Sequence, residues 1–464
     1  MHPTTRPTSP SSLAATPTLT DVAGPPDAYA ERDADTDLDA WRKLIGLYAT
    51  AFTRPSFRNF VKLINGWALY PGRRTVTNMI TLADPEGNRA HDAYHRLIRS
   101  GKWEMASLWR ILATLAVERL ADASGPIPLD LDDTLYGKAG SKVEGAGIFR
   151  DPVRSTVHRT VYARGLNLVV LTLRVQPPWG GEPIGLPINL RLYRKGGKSH
   201  LELAEEMIEE VAGWFPERQM RLCADGAYAS LAGRELLRTR FVSRLRGDAA
   251  LYLPAPARQA GQRGRPRKKG ERLPTPPECA SGEEGWEQAE VDLRGRQEKR
   301  LLMAVQAVWY QVCPDREVSM VIARDPTGKQ RDDYFFTTDL EMTPAEVVSC
   351  YAGRWSIEDT FRNAKQYLGG REPQCWREKG PERAAGLSLW LYGMVWLWYV
   401  TTQGDTPQLP RSPWYQSKSR PSFWDALTAL REQLWRSRHF FECGDGSEPA
   451  KRFDTLSATL ARAA

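Results

Sequence analysis

The chain has 464 residues, 41% of them hydrophobic, enough to bury a large core and to divide into about two to four domains. Lys and Arg outnumber Asp and Glu by 64 to 56, a net charge of +8 that favours a polyanionic partner. The six cysteines have no C-x-x-C pair and no histidines at zinc-site spacing, which argues against a disulfide framework or a zinc knuckle and suits free thiols in a reducing cytosol.

Residues 1–37 are rich in Pro, Thr, Ser, Ala and Asp, lack the apolar core of a signal peptide, and are expected to form a disordered tail. From 38 to 123 the apolar spacing is helical, with segments at 44–52, 57–69, 90–99 and 104–120 separated by short polar breaks. This stretch is expected to be an all-helical domain. Within it Arg54, Arg58, Lys62, Arg73 and Arg74 interleave with Phe52, Phe57, Phe60 and Trp67, a mixture that suits phosphate contacts as well as an ordinary amphipathic bundle.

The pattern changes at Gly125. A short strand is predicted over 127–133, a hairpin from 166–175 and 184–193, a helix over 199–215, and a strand over 220–224 that ends in Asp225 and Gly226. A helix near 231–238 and a strand near 241–245 follow. Three strands, a helix and a fourth strand, with an aspartate at the end of the first and just after the fourth, is the order of ribonuclease-H-like folds. There the first and fourth strands are neighbours, so the two carboxylates meet at one rim of the sheet.

The segment 248–340 is expected to be a β-rich insertion with its return strands, beginning in Pro, Gly and Arg and continuing through strands near 300–310, 318–324 and 334–338. Its basic run, Arg263 to Lys269, includes Arg265 and Arg267 and suits either an A·T-rich minor groove or a solvated loop. Trp286 and Trp309 are candidates for stacking on an unpaired base, with a core role as the alternative. Lys138, Lys142 and His158 follow the first acids and are further candidates for DNA contact.

A helix over 351–365 then carries Tyr351, Arg354, Glu358, Arg362 and Lys365 within roughly 80° of one another. One stripe thus holds a carboxylate between cations, although a solvated face of i,i+4 pairs has the same spacing. The run 384–400 is interrupted by Ser388 and Gly393 and preceded by charges, so it is read as a buried helix and not a membrane span. A Pro/Ser-rich linker, a helix around 423–436 and a weakly patterned tail complete the segment 403–464.

Together the motifs resemble the DDE transposases of bacterial insertion sequences, in the branch with a Tyr-Arg-Glu-Lys signature. Tyr351, Arg354, Glu358 and Lys365 match that signature without a gap. LDLDDT at 129–134 resembles the first-acid motif, CADGAY at 223–228 the second, and FFTTDL at 335–340 the strand before the signature helix. The resemblance spans 125–400. It implies a ribonuclease-H-like α/β core in two parts, 124–247 and 341–402, with Asp133, Asp225 and Glu358 as catalytic and metal-binding acids. In that family the acid immediately before the Thr is the ligand, which selects Asp133. Strand parity sets Leu129, Leu131 and Asp133 on one face and Asp130 and Asp132 on the other, and Asp132 remains the competing candidate.

The resemblance further implies two Mg²⁺ ions per site, with Mn²⁺ able to substitute, because hard oxygen donors and substrate phosphates suit such ions. Tyr351, Arg354 and Lys365 would contact phosphates of double-stranded transposon-end DNA. Arg362, on the same stripe but outside the signature, is grouped with them. The implied protein is a cytoplasmic transposase, homodimeric on DNA, with no membrane partner. No G-x-x-x-x-G-K-[ST] loop is present, so ATP is not an expected cofactor. A domesticated nuclease that cleaves without transposing, and a non-catalytic DNA-binding regulator on the same fold, are the alternatives.

Overall fold

A computed structural model describes residues 34–439 apart from 152, 157, 257–264, 266, 408 and 410–416. The expected tail up to residue 33, positions 263, 264 and 266 of the basic run, part of the linker and the chain beyond 439 lie outside the described residues.

The first part is helical: α1 (Ala34–Gly46), a 3-10 turn (Leu47–Ala51), α2 (Arg54–Leu69), α3 (Val76–Ala83), α4 (His91–Ser100) and α5 (Met105–Leu120). Of these, α3 has no counterpart among the predicted segments; Thr75 caps it by accepting from the Asn78 amide. The candidate phosphate contacts of this region are partly spent within it. Lys62 donates to buried Asp84 at 2.6 Å, and Arg74 is itself buried.

Next come β1 (Ile127–Gly137), β2 (Gly147–Arg150), β3 (Tyr162–Val175), β4 (Ile184–Tyr193), α6 (His200–Trp214), β5 (Met220–Ala224) and β6 (Thr239–Arg244). Ser199 and Glu202 form a reciprocal capping box that starts α6. β1 lies antiparallel to β3 and parallel to β5, β5 lies parallel to β6, and β4 continues the sheet beyond β3. The α/β class and the ribonuclease-H-like strand order are therefore present as expected. The helix expected near 231–238 is not: a 3-10 run occupies Gly226–Gly233 instead, started by the Asp225 carboxylate accepting from the Ala227 amide. That run ends where a Cβ on Gly233 would lie 1.9 Å from the Val312 carbonyl oxygen, so another segment of chain closes against it.

The chain then forms α7 (Pro276–Ala280), β7 (Glu287–Asp292), β8 (Gln297–Ala307), β9 (Val318–Arg324) and β10 (Asp333–Thr337). These strands extend the same sheet, antiparallel in the order β6-β10-β9-β8-β7, to give ten strands in all. The chain continues with α8 (Pro344–Gly353), α9 (Ser356–Tyr367), α10 (Gly380–Gln403) and α11 (Phe423–His439).

The helix expected over 351–365 is thus two helices. Around Arg354 and Trp355 the amide bonds run from residue i to i−3, at 3.0–3.3 Å, in place of i−4. A Cβ on Gly353 would lie 2.8 Å from Nη1 of Arg174 on β3, so the missing side chain lets α8 approach the sheet and the chain turn there. Tyr351 belongs to α8, and Glu358 stands in the first turn of α9.

One large apolar cluster joins the N-terminal helices, the α6 side of the sheet, α10 and α11. A smaller one, including Cys223, Val242, Val321, Phe335, Val347 and Val348, fills the space under α8. The 384–400 run is buried throughout, with Trp390 meeting Tyr48 and Trp398 meeting Trp41 edge-on. Among the described residues no helix is long and apolar enough to cross a membrane.

Candidate active site

Successive side chains of β1 alternate between two environments, as a strand requires. On the α8/α9 side, fully buried Asp130 pairs with Arg174 and accepts from Ser356 Oγ at 3.2 Å. This pair ties the first residue of α9 to the sheet and leaves Asp130 committed. Two residues on, Asp132 accepts from Arg354 Nη1 at 2.8 Å, while Arg354 Nη2 donates to Glu358 at 2.9 Å. A single guanidinium, 7% exposed, therefore joins the two carboxylates.

Asp225 follows the last residue of β5, whose register with β1 pairs Asp130 with Cys223 and Leu131 with Ala224. It is close enough to act on Asp132. Burial pushes the Asp132 carboxyl up to about 7 against the pull of Arg354, and the charges of Asp225 and Asp133 add to the rise.

Asp133 faces the α6 side. It accepts from Asn167 Nδ2 at 3.0 Å and lies 3.4 Å from the Tyr228 hydroxyl, and Asn167 in turn meets His200 Nε2 at 3.2 Å. The structure thus brings Asp132, and not Asp133, against Glu358 through Arg354. The parity in LDLDDT separates the two acids but says nothing about which face α9 covers.

Among the other signature residues, half-buried Tyr351 packs on Phe335 and lies under Arg354, whose guanidinium is 5.5 Å from the ring centre. Lys365, near the end of α9, donates to Thr134 Oγ1 at 2.6 Å, and burial lowers its ammonium to about 8. Arg362 pairs with Asp359 at 2.6 Å on the exposed side of α9. Arg265 and Arg267 line a separate basic cleft of about 470 Å³ with Lys268, Lys269 and Tyr310. Trp309 is a core residue against Phe336, while Arg324 covers the Trp286 ring. Lys138 is buried, donating to the carbonyls of Arg371 and Pro373, whereas Lys142 and His158 are exposed.

A second cleft, of about 480 Å³, opens beside the acids. Arg354, Tyr351 and half-exposed Trp355 form one wall; Arg294, Arg296 and Arg331 contribute to the rest together with the acids Glu182, Glu298, Asp325 and Asp333, with the Arg294 guanidinium 4.1 Å from the Trp355 ring centre. Sequence reading missed Arg294, Arg296 and Arg331, which lie in the connections β7–β8 and β9–β10 of strands whose joining to the sheet is a tertiary matter.

Carboxylate oxygens are the donors that hard divalent cations take. Here the cation between Asp132 and Glu358 is the Arg354 guanidinium. In this arrangement no three His, Cys, Asp or Glu side chains among the described residues are placed to hold a metal ion.

The raised Asp132 carboxyl predicts a pH effect in metal-free protein. The folded state binds this proton more readily than the unfolded one, whose ordinary value is about 3.9. The associated stability is complete below about pH 4 and lost as pH rises through about 7. Thermal unfolding of D132N across this window is expected to show a flatter profile than wild type; identical slopes would refute it.

A sheet in this strand order, with acids midway along β1, just after its parallel neighbour β5 and on the first turn of α9, is the ribonuclease-H-like arrangement. The chain belongs to the DDE superfamily endonucleases: the family model matches residues 47–303, more than half its length. The match includes Asp132, Asp133 and Asp225 and ends before Glu358. Members of this superfamily generally use divalent metals. The structure is similar to piggyBac transposase in a synaptic complex with hairpin DNA, at 11% identity over 93% of this chain and 83% of that one, with a TM-score of 0.37. A comparison with curated proteins found no match.

Proposed function

We propose that the protein is a DNA transposase of the insertion-sequence type, cutting at transposon ends and joining the freed 3′-hydroxyl to target DNA. The observation that carries this reading is the bridge from Asp132 through Arg354 to Glu358, with Asp225 acting on the same carboxyl. Asp132, Asp225 and Glu358 are the acids this geometry favours as holders of divalent cations, magnesium or manganese, two per site. Bound there, such ions supply Lewis-acid activation of the attacking oxygen and charge neutralisation at the leaving one.

In this reading Arg354 exchanges its carboxylate partners for a substrate phosphate, which its planar fork suits. Lys365 adds a point charge beside Thr134, and Tyr351 positions Arg354. The cleft beside Trp355, in whose lining arginines outnumber acids, offers a path for the DNA backbone. Water attacks the phosphorus at the transposon end, the P–O3′ bond breaks, and the 3′-hydroxyl is released. The 3′-oxygen then attacks a target phosphorus, forming a new P–O bond as the target's own 3′-oxygen leaves. Pairing of two ends by a dimer belongs to the same reading, as does the helical segment 38–123 as an end-recognition domain.

The test is incubation of the full chain with DNA carrying the sequences that flank its gene, with and without Mg²⁺, followed by mapping of the strands. Nicks at the ends together with joined product are expected. Cleavage without joining would replace the transposase reading by a nuclease, and binding without cleavage would replace it by a regulator.

A further inference from the structure

The register of β1 with β3 ends at Gly137 opposite Gly165, and β4 joins β3 only from Asn167 onward. Beyond them β2 and the start of β3 form a two-stranded arm, with Ile148 opposite Arg164, Phe149 opposite Ala163 and Arg150 opposite Tyr162. Opposite residues of an antiparallel pair share a face, and faces alternate along each strand. Buried Phe149 turns to the α6 side, where it meets Tyr193 edge-on, and Tyr193 stacks on His200. Ile148, Arg150, Tyr162 and Arg164 occupy the other face. Along β3 that face continues through Leu168 and Val170, the partners of Thr134 and Asp132, so the arm extends the side of the sheet that carries Asp132 and the contact of Thr134 with Lys365.

Three of the eight large hydrophobic side chains exposed among the described residues stand on this arm: Ile148, Tyr162 and, at its tip, Val153, which is 89% exposed. The tip is held in shape by Asp151, whose carboxylate accepts from the Val153 and Arg154 amides, each at 3.1 Å, and from Arg154 Nε at 2.7 Å. Arg150 and Arg164 have no ion-pair partner among the described residues. Apolar side chains left in water on an ordered arm mark a contact surface, and unpaired arginines between them select an anionic partner. Arginines for phosphates with an apolar wedge for base steps is the combination that suits a DNA minor groove.

The strand order β2-β3-β1-β5-β6-β10-β9-β8-β7 sets the arm on one side of β1. The cleft arginines Arg294, Arg296 and Arg331, in the β7–β8 and β9–β10 connections, lie on the other side, with the acids between. A linear polyanion that crosses the acids from the cleft therefore meets the arm. We propose that this arm docks in the minor groove of duplex DNA on the side of the acids away from the cleft. Arg150 and Arg164 hold phosphates, while Ile148, Val153 and Tyr162 press between base steps and bend the duplex near the cut. The proposal rests on the reading of the chain as a DNA-cutting enzyme.

The test is binding of the full chain to a short end-bearing duplex across a range of salt concentrations, with dyes on the two duplex ends to report bending by energy transfer. R150A/R164A is expected to weaken binding and to reduce the slope of log K against log salt by about 2, because each phosphate contact contributes about 0.9. I148S/Y162S is expected to keep the wild-type slope and lose the bend, which is about 20–90° for wedges of this kind. A wild-type slope in R150A/R164A, or a wild-type bend in I148S/Y162S, overturns the proposal. Cleavage assayed on the same duplex separates the two readings. If wild type cuts and the variants bind and bend as it does, the arm alone fails. If the variants show the expected losses while wild type never cuts, the arm stands and the transposase reading fails.

Discussion

D132N, D225N and E358Q are each expected to lower DNA cleavage by about 1,000-fold or more, with folding and DNA binding retained. Each substitution replaces a carboxylate by a neutral amide of nearly the same shape, so the packing of the rim is conserved while an anionic ligand is lost. A divalent cation at a reacting phosphate contributes several kcal/mol, and each 1.36 kcal/mol corresponds to tenfold in rate. D133N is expected to cost about 10–100-fold, the scale of a supporting contact, because Asp133 lies on the α6 side with Asn167 and Tyr228. Single-turnover cleavage of end-bearing DNA decides the matter. Near-normal activity in D132N beside an inactive D133N would move the metal-binding role to the acid that precedes Thr134.

R354A is expected to destabilise the metal-free protein by about 3 kcal/mol, since one partner of a buried ion pair is removed and its acids are left without a cation. The loss is doubled in kind, because the same guanidinium serves both Asp132 and Glu358. Added Mg²⁺ is therefore expected to raise the Tm of R354A more than that of wild type, as the ion enters a space the arginine otherwise fills. Cleavage should fall in R354A and recover only in part in R354K, whose ammonium lacks the fork needed for two acceptors. Equal Mg²⁺-dependent Tm shifts in wild type and R354A would sink the idea that the guanidinium holds the place of a metal.

Much of the frame was legible in local pattern. Alternation over LDLDDT, the β-rich hairpin and the helical run at 199–215 placed β1, β3, β4, α6 and β5 in order but missed β2, and the apolar run of α10, despite Ser388 and Gly393, marked it as buried. The turn after Gly353 was not legible, because helical periodicity continues straight through it. The cause is Arg174, which reaches the site from a strand nearly two hundred positions earlier in the chain. β7 had no counterpart among the predicted strands, and the joining of β8–β10 to the sheet was hidden for a similar reason: alternation identifies a strand but names no partner.

By itself the sequence determined which residues share a face, since side-chain direction repeats every two residues in a strand and every 3.6 in a helix. It thereby separated Asp132 from Asp133 and put Glu358 in line with Arg354. Only the tertiary structure decided what each face meets: Asp132 with Arg354 under α9, and Asp133 with Asn167 beside α6. Those meetings depend on contacts between distant segments, whose free energies come from shared burial and are written in no single stretch of the chain.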